Sequence, residues 1–452
     1  MISMFQELRN QYKEFIYESF QVEETSGQYT VTYHYRINEL SFFPQIIVEK
    51  EQITNKNTDR EFLDYLFFQY GLFDLMNYYK LTCSPKIIIR PMKINEEQCD
   101  FFKKILYHGL GEYFYKNGIT LSYQEFVEFE VDATKEYSKR EIKNHFSGNL
   151  IPVGGGKDSI VTLELLKDYH SDNKVFMLER NLYPKNQAGY DSIQIAGYQE
   201  KDIVIFKNNL DLKLLELNQK GYLNGHIPFS ACLSMASFLM AYLINKKYIV
   251  LSNEASANEG NVKGRDINHQ YSKSYEYERD FREYAKKYLT EKIEYFSLLR
   301  CLNEYEIVQE FIKHKEYLSI FRSCNRGTKE NIWCNHCSKC LYVYIMLYPH
   351  LNEEEMKQVF SNAMLDDASL EEVFKSLVLE TIDKPFECVG EKKEINYSLQ
   401  KALELKKDNL PYLLEKYNKY PHPKISLEEI ENYFNHQHFI PKEYLELVRR
   451  NS

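Results

Sequence analysis

Residues 148–169 read GNLIPVGGGKDSIVTLELLKDY, and the order of residue types in this stretch sets the fold expected of the chain. The apolar run at 150–153 has the length of a buried strand. Gly154, Gly155 and Gly156 follow, then Lys157, Asp158 and Ser159. From Ile160 the apolar residues Val161, Leu163, Leu165 and Leu166 fall on or near one helical face. Strand, glycine loop and helix start are the parts of an anion site. Glycines let the backbone turn tightly against a ligand, and the first amides of a helix have no internal partner. The stretch is not a Walker A loop: the position where that motif needs its first glycine is Ile151, and Lys157 is followed by Asp158.

Strand and helix patterns alternate downstream. Strands are expected at 174–178, 203–206 and 248–251, and a helix at 229–243. This rhythm predicts a parallel sheet with helices on both faces, in which ligands sit at the carboxyl ends of the strands. Three polar loops begin there: Gly154 to Ser159, Glu179 to Asn181, and the run from Ser252. Upstream, residues 1–145 lack glycine loops. YTVTYHYR at 29–36 alternates with period two, 45–48 and 86–89 are short β runs, and 59–79 and 96–107 suit helices, the first with Gly71 inside it. This part reads as an α+β N-terminal domain whose many tyrosines pack rather than bind a ligand.

The chain has 452 residues, enough for two or three domains, with 44% hydrophobic and 27% charged residues. No apolar span is long enough to cross a membrane, and the first residues, MISMFQELRNQYKEF, do not read as a secretory signal, so a cytoplasmic protein without membrane insertion is expected. A net charge of -9 argues against nucleic acid as a partner. Nine cysteines, an odd number, are unlike a disulfide scaffold. Four of them, Cys324, Cys334, Cys337 and Cys340, are spaced C-x9-C-x2-C-x2-C. That spacing suits a closed tetrahedral structural zinc site, with an iron–sulfur cluster as the other metal option; His336 reads as a bystander. The domains expected are therefore 1–145, a catalytic domain at 146–350 that includes the four cysteines, and a helical region at 351–452.

The polar stretch 252–282, SNEASANEGNVKGRDINHQYSKSYEYERDFR, is the most unusual in the chain. A loop this long within a compact domain is functional or disordered. The bland reading is a solvated loop leading into a helix; its start at a strand's carboxyl end favours a site.

GGGKDS at 154–159 resembles the loop of the ATP pyrophosphatase superfamily, the PP-loop or adenine nucleotide alpha hydrolase-like fold, although Gly154 stands where that superfamily usually has Ser. Together with the four cysteines it is similar to the 7-cyano-7-deazaguanine synthases. The longer likeness runs through HIPFSA at 226–231, LSNEASANEGNVKGRDINHQYSK at 251–273, YFSLL at 295–299, the cysteine segment 323–340 and KPFECVG at 384–390. These look like the UDP-N-acetylmuramoyl-L-alanyl-L-glutamate epimerases, the MurL family, whose own loop is GGGKDS. The resemblance implies inversion of a terminal L-glutamate on a UDP-muramoyl dipeptide during peptidoglycan precursor synthesis. It implies ATP going to AMP and pyrophosphate, Mg2+, and a functional link to the ligase that adds L-glutamate.

On that reading the amides of Gly154, Gly155 and Gly156, with Lys157 and Ser159, hold pyrophosphate, and Asp158 binds Mg2+. Glu179, Arg180 and Asn181 border the adenosine. Glu254 and Glu259 are candidates for magnesium or the substrate, and Arg265 and Lys273 for the glutamate γ-carboxylate or a UDP phosphate. His269 is the first choice for proton transfer, with Lys273, Tyr271 and Cys388 as candidate partners. The N-terminal domain is the expected place for part of the uridine and sugar contacts. The competing readings are a PP-loop ligase resembling the deazaguanine synthases and a non-enzymatic nucleotide-binding or RNA-modification adaptor.

Overall fold

The computed structural model describes residues 3–262, 267–406, 409–431 and 433–449. Its strands are β1 (Glu14–Glu24), β2 (Gln28–Ile37), β3 (Leu40–Phe42), β4 (Gln45–Glu49), β5 (Lys86–Ile89), β6 (Glu128–Val131), β7 (Asn149–Pro152), β8 (Asn173–Arg180), β9 (Ile203–Asn209), β10 (Tyr248–Leu251) and β11 (Glu294–Ser297). They form one mixed, mostly parallel sheet in the order β11-β10-β7-β8-β9-β4-β2-β1-β5-β6, with β3 paired to β2.

The expected parallel unit is present. The chain enters at β7, moves outward through β8 and β9, then returns to the other side of β7 for β10 and β11. The order therefore reverses between β7 and β10, and a crevice opens outside the carboxyl ends of strands at such a point. Side chains alternate across the sheet. Leu150, Phe176, Phe206 and Ile249 join one core, with the helices Phe229–Leu243 and Tyr275–Tyr288. Ile151, Val175, Met177 and Val250 join the other, with the helices Lys157–Leu165, Glu304–Phe311, Ser338–Leu347 and Lys392–Leu405.

The N-terminal strands bury one face. Phe15, Tyr17, Tyr33, Tyr35 and Ile46 lie beneath the helix Arg60–Asp74, which is itself sandwiched by the helix Phe229–Leu243. The tyrosines are packing residues, with their hydroxyls on backbone acceptors: Tyr33 donates to the Phe67 carbonyl at 3.0 Å and Tyr35 to that of Gly71 at 2.7 Å. Gly71 does not interrupt the helix. Its missing side chain makes room for the sheet, since a Cβ there would lie 2.2 Å from the Tyr17 hydroxyl and 2.6 Å from its ring.

The change of rhythm near 145 marks a change of connectivity, while the sheet continues through it. β4 pairs antiparallel with β9, setting Gln45 opposite Asn209 and Ile47 opposite Lys207, and one apolar core runs from Phe5 to Tyr295. Among the described residues the C-terminal part is largely short helices, as expected, although 427–434 yields only the helix Leu427–Ile430. No described helix is long and apolar enough to cross a membrane.

Replacing Gly71 with alanine should cost about 1–3 kcal/mol through overpacking. Urea denaturation of the variant beside the parent protein measures it.

Candidate active site

The glycine loop leaves β7 and closes tightly. Gly155 has φ +80°, and a Cβ on it would meet the Gly189 nitrogen at 2.5 Å. Gly156 caps the helix Lys157–Leu165. Ser159 Oγ accepts from the Gly155 amide at 3.2 Å and donates to the Gly156 carbonyl at 2.9 Å, so the serine braces the loop. Asn186 donates to the Gly154 carbonyl at 3.1 Å, and the Arg322 amide to that of Gly155 at 2.9 Å.

Lys157 does not project into the open crevice. Its ammonium is buried and paired with Asp158 and with Glu304, a partner that sequence reasoning missed. Burial works against that charge, but the two carboxylates outweigh it and hold the Lys157 ammonium well above its ordinary range. Burial alone would raise the Asp158 carboxyl, yet Lys157, Lys339 and Lys273 hold it below its usual value.

The described parts of the 252–282 stretch are not a solvated loop: Asn253, Glu254, Ser256, Asn261, Gln270 and Ser272 are all buried. Its organiser is Arg300, wholly buried beside Glu278 at 3.0 Å. Arg300 also donates to the Glu254 carbonyl at 2.6 Å and to the Lys273 carbonyl. Glu278 is completed by the Ser297 amide at 3.0 Å and hydroxyl at 2.6 Å. One guanidinium thus fixes the backbone at two candidate site residues.

A second clamp joins this stretch to KPFECVG. Asn261 accepts from the His269 amide at 2.7 Å and donates to the Pro385 carbonyl at 2.8 Å, and its own carbonyl accepts from the Lys384 amide at 3.1 Å. Glu259 is ion-paired with Lys384, so its carboxylate belongs to this clamp. Cys388 is thereby carried to Lys273, with Sγ 3.5 Å from Nζ, and Lys339 donates to its carbonyl.

Around Cys388 the ionisable groups tune one another. Burial raises the thiol, but the Lys273 ammonium, a hydrogen bond from His269 and nearby Lys339 outweigh it and bring it from 9.0 to about 7. Burial lowers His269, but its bonds to Cys388 and Glu112 carry it up to about 9. Glu112, on the short helix Gly111–Lys116, is bonded to His269 and Lys116; burial opposes its ionisation, yet these partners hold it at about 2. His226 lies beside His269 with ring centroids 4.1 Å apart and the rings tilted by 41°, and burial and that neighbour hold it down to about 3, a neutral imidazole. Glu112, His226 and His269 bring possible metal-ligand atoms within 4.8 Å of one another, but the Glu112 carboxylate is engaged by His269 and Lys116. Neither Glu112 nor Lys339 carries a signal in the sequence; Glu112 lies in GLGEYFYK at 109–116, which reads as ordinary helix.

The remaining candidates fall in three places. Glu254 is buried near Lys273 and Glu304. Tyr271 is buried, stacked on His108 and edge-on to Tyr277, as a packed ring. Asn181 uses its side-chain amide to bridge β8 to the Leu210 backbone, with both bonds at 2.9 Å. Arg265 lies outside the described residues.

The four cysteines converge. Their sulfurs stand 3.8 Å (Cys324 to Cys337), 3.6 Å (Cys334 to Cys340) and 3.5 Å (Cys337 to Cys340) apart. Tetrahedral thiolates at ~2.3 Å from zinc are ~3.8 Å from one another, so the cluster fits that ion and excludes disulfides. Cys324 is further tied by the Gly327 amide at 3.2 Å. The cluster sits between two parts of the site: Arg322 and Ser323 pack on the glycine loop, and the helix Ser338–Leu347 carries Lys339 in its first turn.

These parts surround one cavity of about 1080 Å3, lined by Gly154, Arg180, His226, His269, Lys273 and Cys388, among others. It exceeds the ~300–1,000 Å3 of a single small-molecule pocket. A parallel-sheet crevice with a glycine loop, a tuned thiol–imidazole–ammonium cluster and a four-thiolate site describes an enzyme.

Residues 6–298 match the MurL N-terminal domain and residues 320–424 the MurL C-terminal domain. UDP-N-acetyl-alpha-D-muramoyl-L-alanyl-L-glutamate epimerase of Xanthomonas oryzae pv. oryzae is 31% identical over 327 residues, 71% of this chain and 70% of that protein. The proteins of the same name from a Micromonospora species and from Salinispora tropica are 32% and 31% identical, over 71% of this chain and 70% and 69% of theirs. No solved structure gives a significant match. The chain belongs to the MurL family of epimerases.

Two outcomes follow from the site. Alkylation of Cys388 by iodoacetamide, followed by mass spectrometry of its peptide, should rise with pH around a midpoint of about 7. In Lys273→Met that midpoint should move upward, because the removed ammonium favours the thiolate. Elemental analysis should find one zinc per chain, and Cys337→Ser should lose it along with Tm.

Proposed function

We propose that this chain converts the terminal L-glutamate of UDP-N-acetylmuramoyl-L-alanyl-L-glutamate to D-glutamate, with ATP going to AMP and pyrophosphate. The observation that carries this reading is the convergence of Cys388, His269 and Lys273 on the cavity that also opens onto Gly154. Proton removal beside a free carboxylate would place a second negative charge next to the first. A glutamate carboxylate oxygen instead attacks the α-phosphorus of ATP and pyrophosphate leaves. The resulting acyl adenylate has lost the carboxylate charge and offers its carbonyl as an electron sink, so the α-proton becomes more acidic, each pKa unit being worth about 1.4 kcal/mol. Water then releases AMP and the inverted acid.

The chain's residues supply the rest. In this reading the glycine loop cradles phosphates in the manner of a PP-loop. Bound Mg2+ would supply charge neutralisation at the phosphates, with Asp158 as its ligand and Glu254 behind it. The Cys388 thiolate takes the α-proton. Lys273 and His269 keep that sulfur ionised, and Glu112 orients His269. At 3.5 Å apart, Cys388 and Lys273 are too close to flank one carbon from opposite faces, which needs about twice the ~3–3.5 Å contact distance. They therefore act together on one face, where Cys388 takes the α-proton, and water delivers the new proton to the opposite face of the planar intermediate. Zinc at Cys324, Cys334, Cys337 and Cys340 would be structural, since four thiolates leave no open position. In a cell the substrate would come from a ligase that adds L-glutamate.

Incubation in D2O with ATP, Mg2+ and the UDP-muramoyl dipeptide should place deuterium at the glutamate α-carbon and yield D-glutamate on hydrolysis. Cys388→Ala should lose at least about 100-fold in kcat, the scale of general-base removal, while still forming AMP slowly. Absence of exchange in active protein, or a product that incorporates ammonia, would overturn the reading.

A further inference from the structure

The cavity has a second wall that the glycine loop does not reach. At the end of β8 the pleat sends neighbouring side chains to opposite faces. Glu179 turns toward the glycine-loop side, where it accepts from the Tyr190 hydroxyl at 2.8 Å; Tyr190 lies on the helix Gln187–Ile195, whose start packs on Gly155. Arg180 turns the other way, with its guanidinium 4.5 Å above the Phe229 ring. The two residues that the family resemblance sets together at the adenosine therefore lie on different walls of the one cavity.

The fold leaves polar atoms of Arg180 unpartnered on that wall. Its Nε and Nη2 are buried and have no hydrogen-bond partner among the described residues. Lys80, from the N-terminal half, lines the same cavity and donates to two neutral acceptors, Asn224 Oδ1 at 2.9 Å and the Gly225 carbonyl at 3.1 Å. Burial and the nearby Arg180 charge pull the Lys80 ammonium down to about 8. No described carboxylate pairs with either cation. The buried acid that feels the Arg180 charge, Asp74, is bonded through Oδ1 to Asn77 and Asn208, and burial pushes it up to about 6, against the pull of Arg180. Two buried-side cations without carboxylate partners, in a chain of net charge -9, call for an anionic ligand. Asn77, Asn218 and Asn224 add amide groups to that wall, and Phe229 an aromatic face.

We propose that Arg180 and Lys80 form the subsite for the diphosphate of the nucleotide-sugar substrate, across β8 from the loop that takes ATP. This rests on the proposed function for the identity of the substrate, but not for the presence of an anion site. The geometry separates the two nucleotides: ATP lies on the Glu179 face, and the uridine diphosphate lies against the N-terminal half.

The test is titration calorimetry with UDP and, separately, Mg·ATP, on the full chain and on Arg180→Gln, Arg180→Lys and Lys80→Gln. Loss of a charge-assisted contact should weaken UDP binding about tenfold or more in the Gln variants, with Arg180→Lys in between, and leave ATP affinity within about twofold. In turnover the loss should fall on the KM for the UDP-dipeptide rather than on that for ATP. Retained ATP binding shows that a variant is folded, and Lys80→Gln carries the test if Arg180→Gln does not fold. Unchanged UDP affinity in folded variants, loss of ATP affinity alone, or no UDP binding by the parent chain would overturn the subsite. Binding of UDP without any epimerisation would leave the subsite standing and overturn the proposed reaction.

Discussion

Arg300 is the constraint on which the site rests. A guanidinium removed from water is costly unless every neighbour is arranged for it. Here that arrangement consists of Glu278 and the carbonyls of Glu254 and Lys273. Because those carbonyls lie at opposite ends of a polar stretch, one ion pair fixes both ends of its described parts as a wall. Removing one partner of such a pair typically costs about 3–5 kcal/mol, since the other is left charged and buried. The cost would fall on the position of Lys273 as much as on the fold.

Three further ties converge on the same wall. Asn261 fastens it to the segment carrying Cys388. The helix that begins at the cysteine cluster brings Lys339 to the Cys388 carbonyl, and Glu112 reaches His269 from the N-terminal half. The thiol at the centre therefore has its ionisation set by Lys273 and His269 from one stretch and Lys339 from another, with Glu112 acting through His269 from a third. Burial alone would leave it protonated; the surrounding cations reverse that.

Much of this was legible beforehand, for identifiable reasons. β7 to β10 and the helix Phe229–Leu243 stood out because apolar runs bounded by glycine and polar loops carry a clear period. The four cysteines were legible because metal geometry demands short spacings. Cys388 entered as a candidate through family likeness alone, since a lone cysteine has no pattern. Glu112, Glu304, Lys339 and Arg300 were illegible as site residues: each acts through a contact far away in sequence, and an acidic or basic residue on a helix looks the same whether solvated or buried. Pleat direction was also invisible at the end of β8, where the period-2 signal fades into loop. That is why Glu179 and Arg180 read as one pair and lie on two walls of one cavity.

The junction between β4 and β9 has a mechanical consequence. Many two-substrate enzymes close by swinging one lobe against another, with a few backbone torsions as the hinge. Here the wall carrying Lys80 and the wall carrying Gly154 are built on a single sheet, whose two halves are joined by the hydrogen-bonded ladder of β4 on β9 through Gln45 and Asn209. Swinging them apart would break the ladder and open the shared core. The two halves of the cavity thus keep a fixed separation, like the jaws of a gauge, and that distance is a property of the sheet.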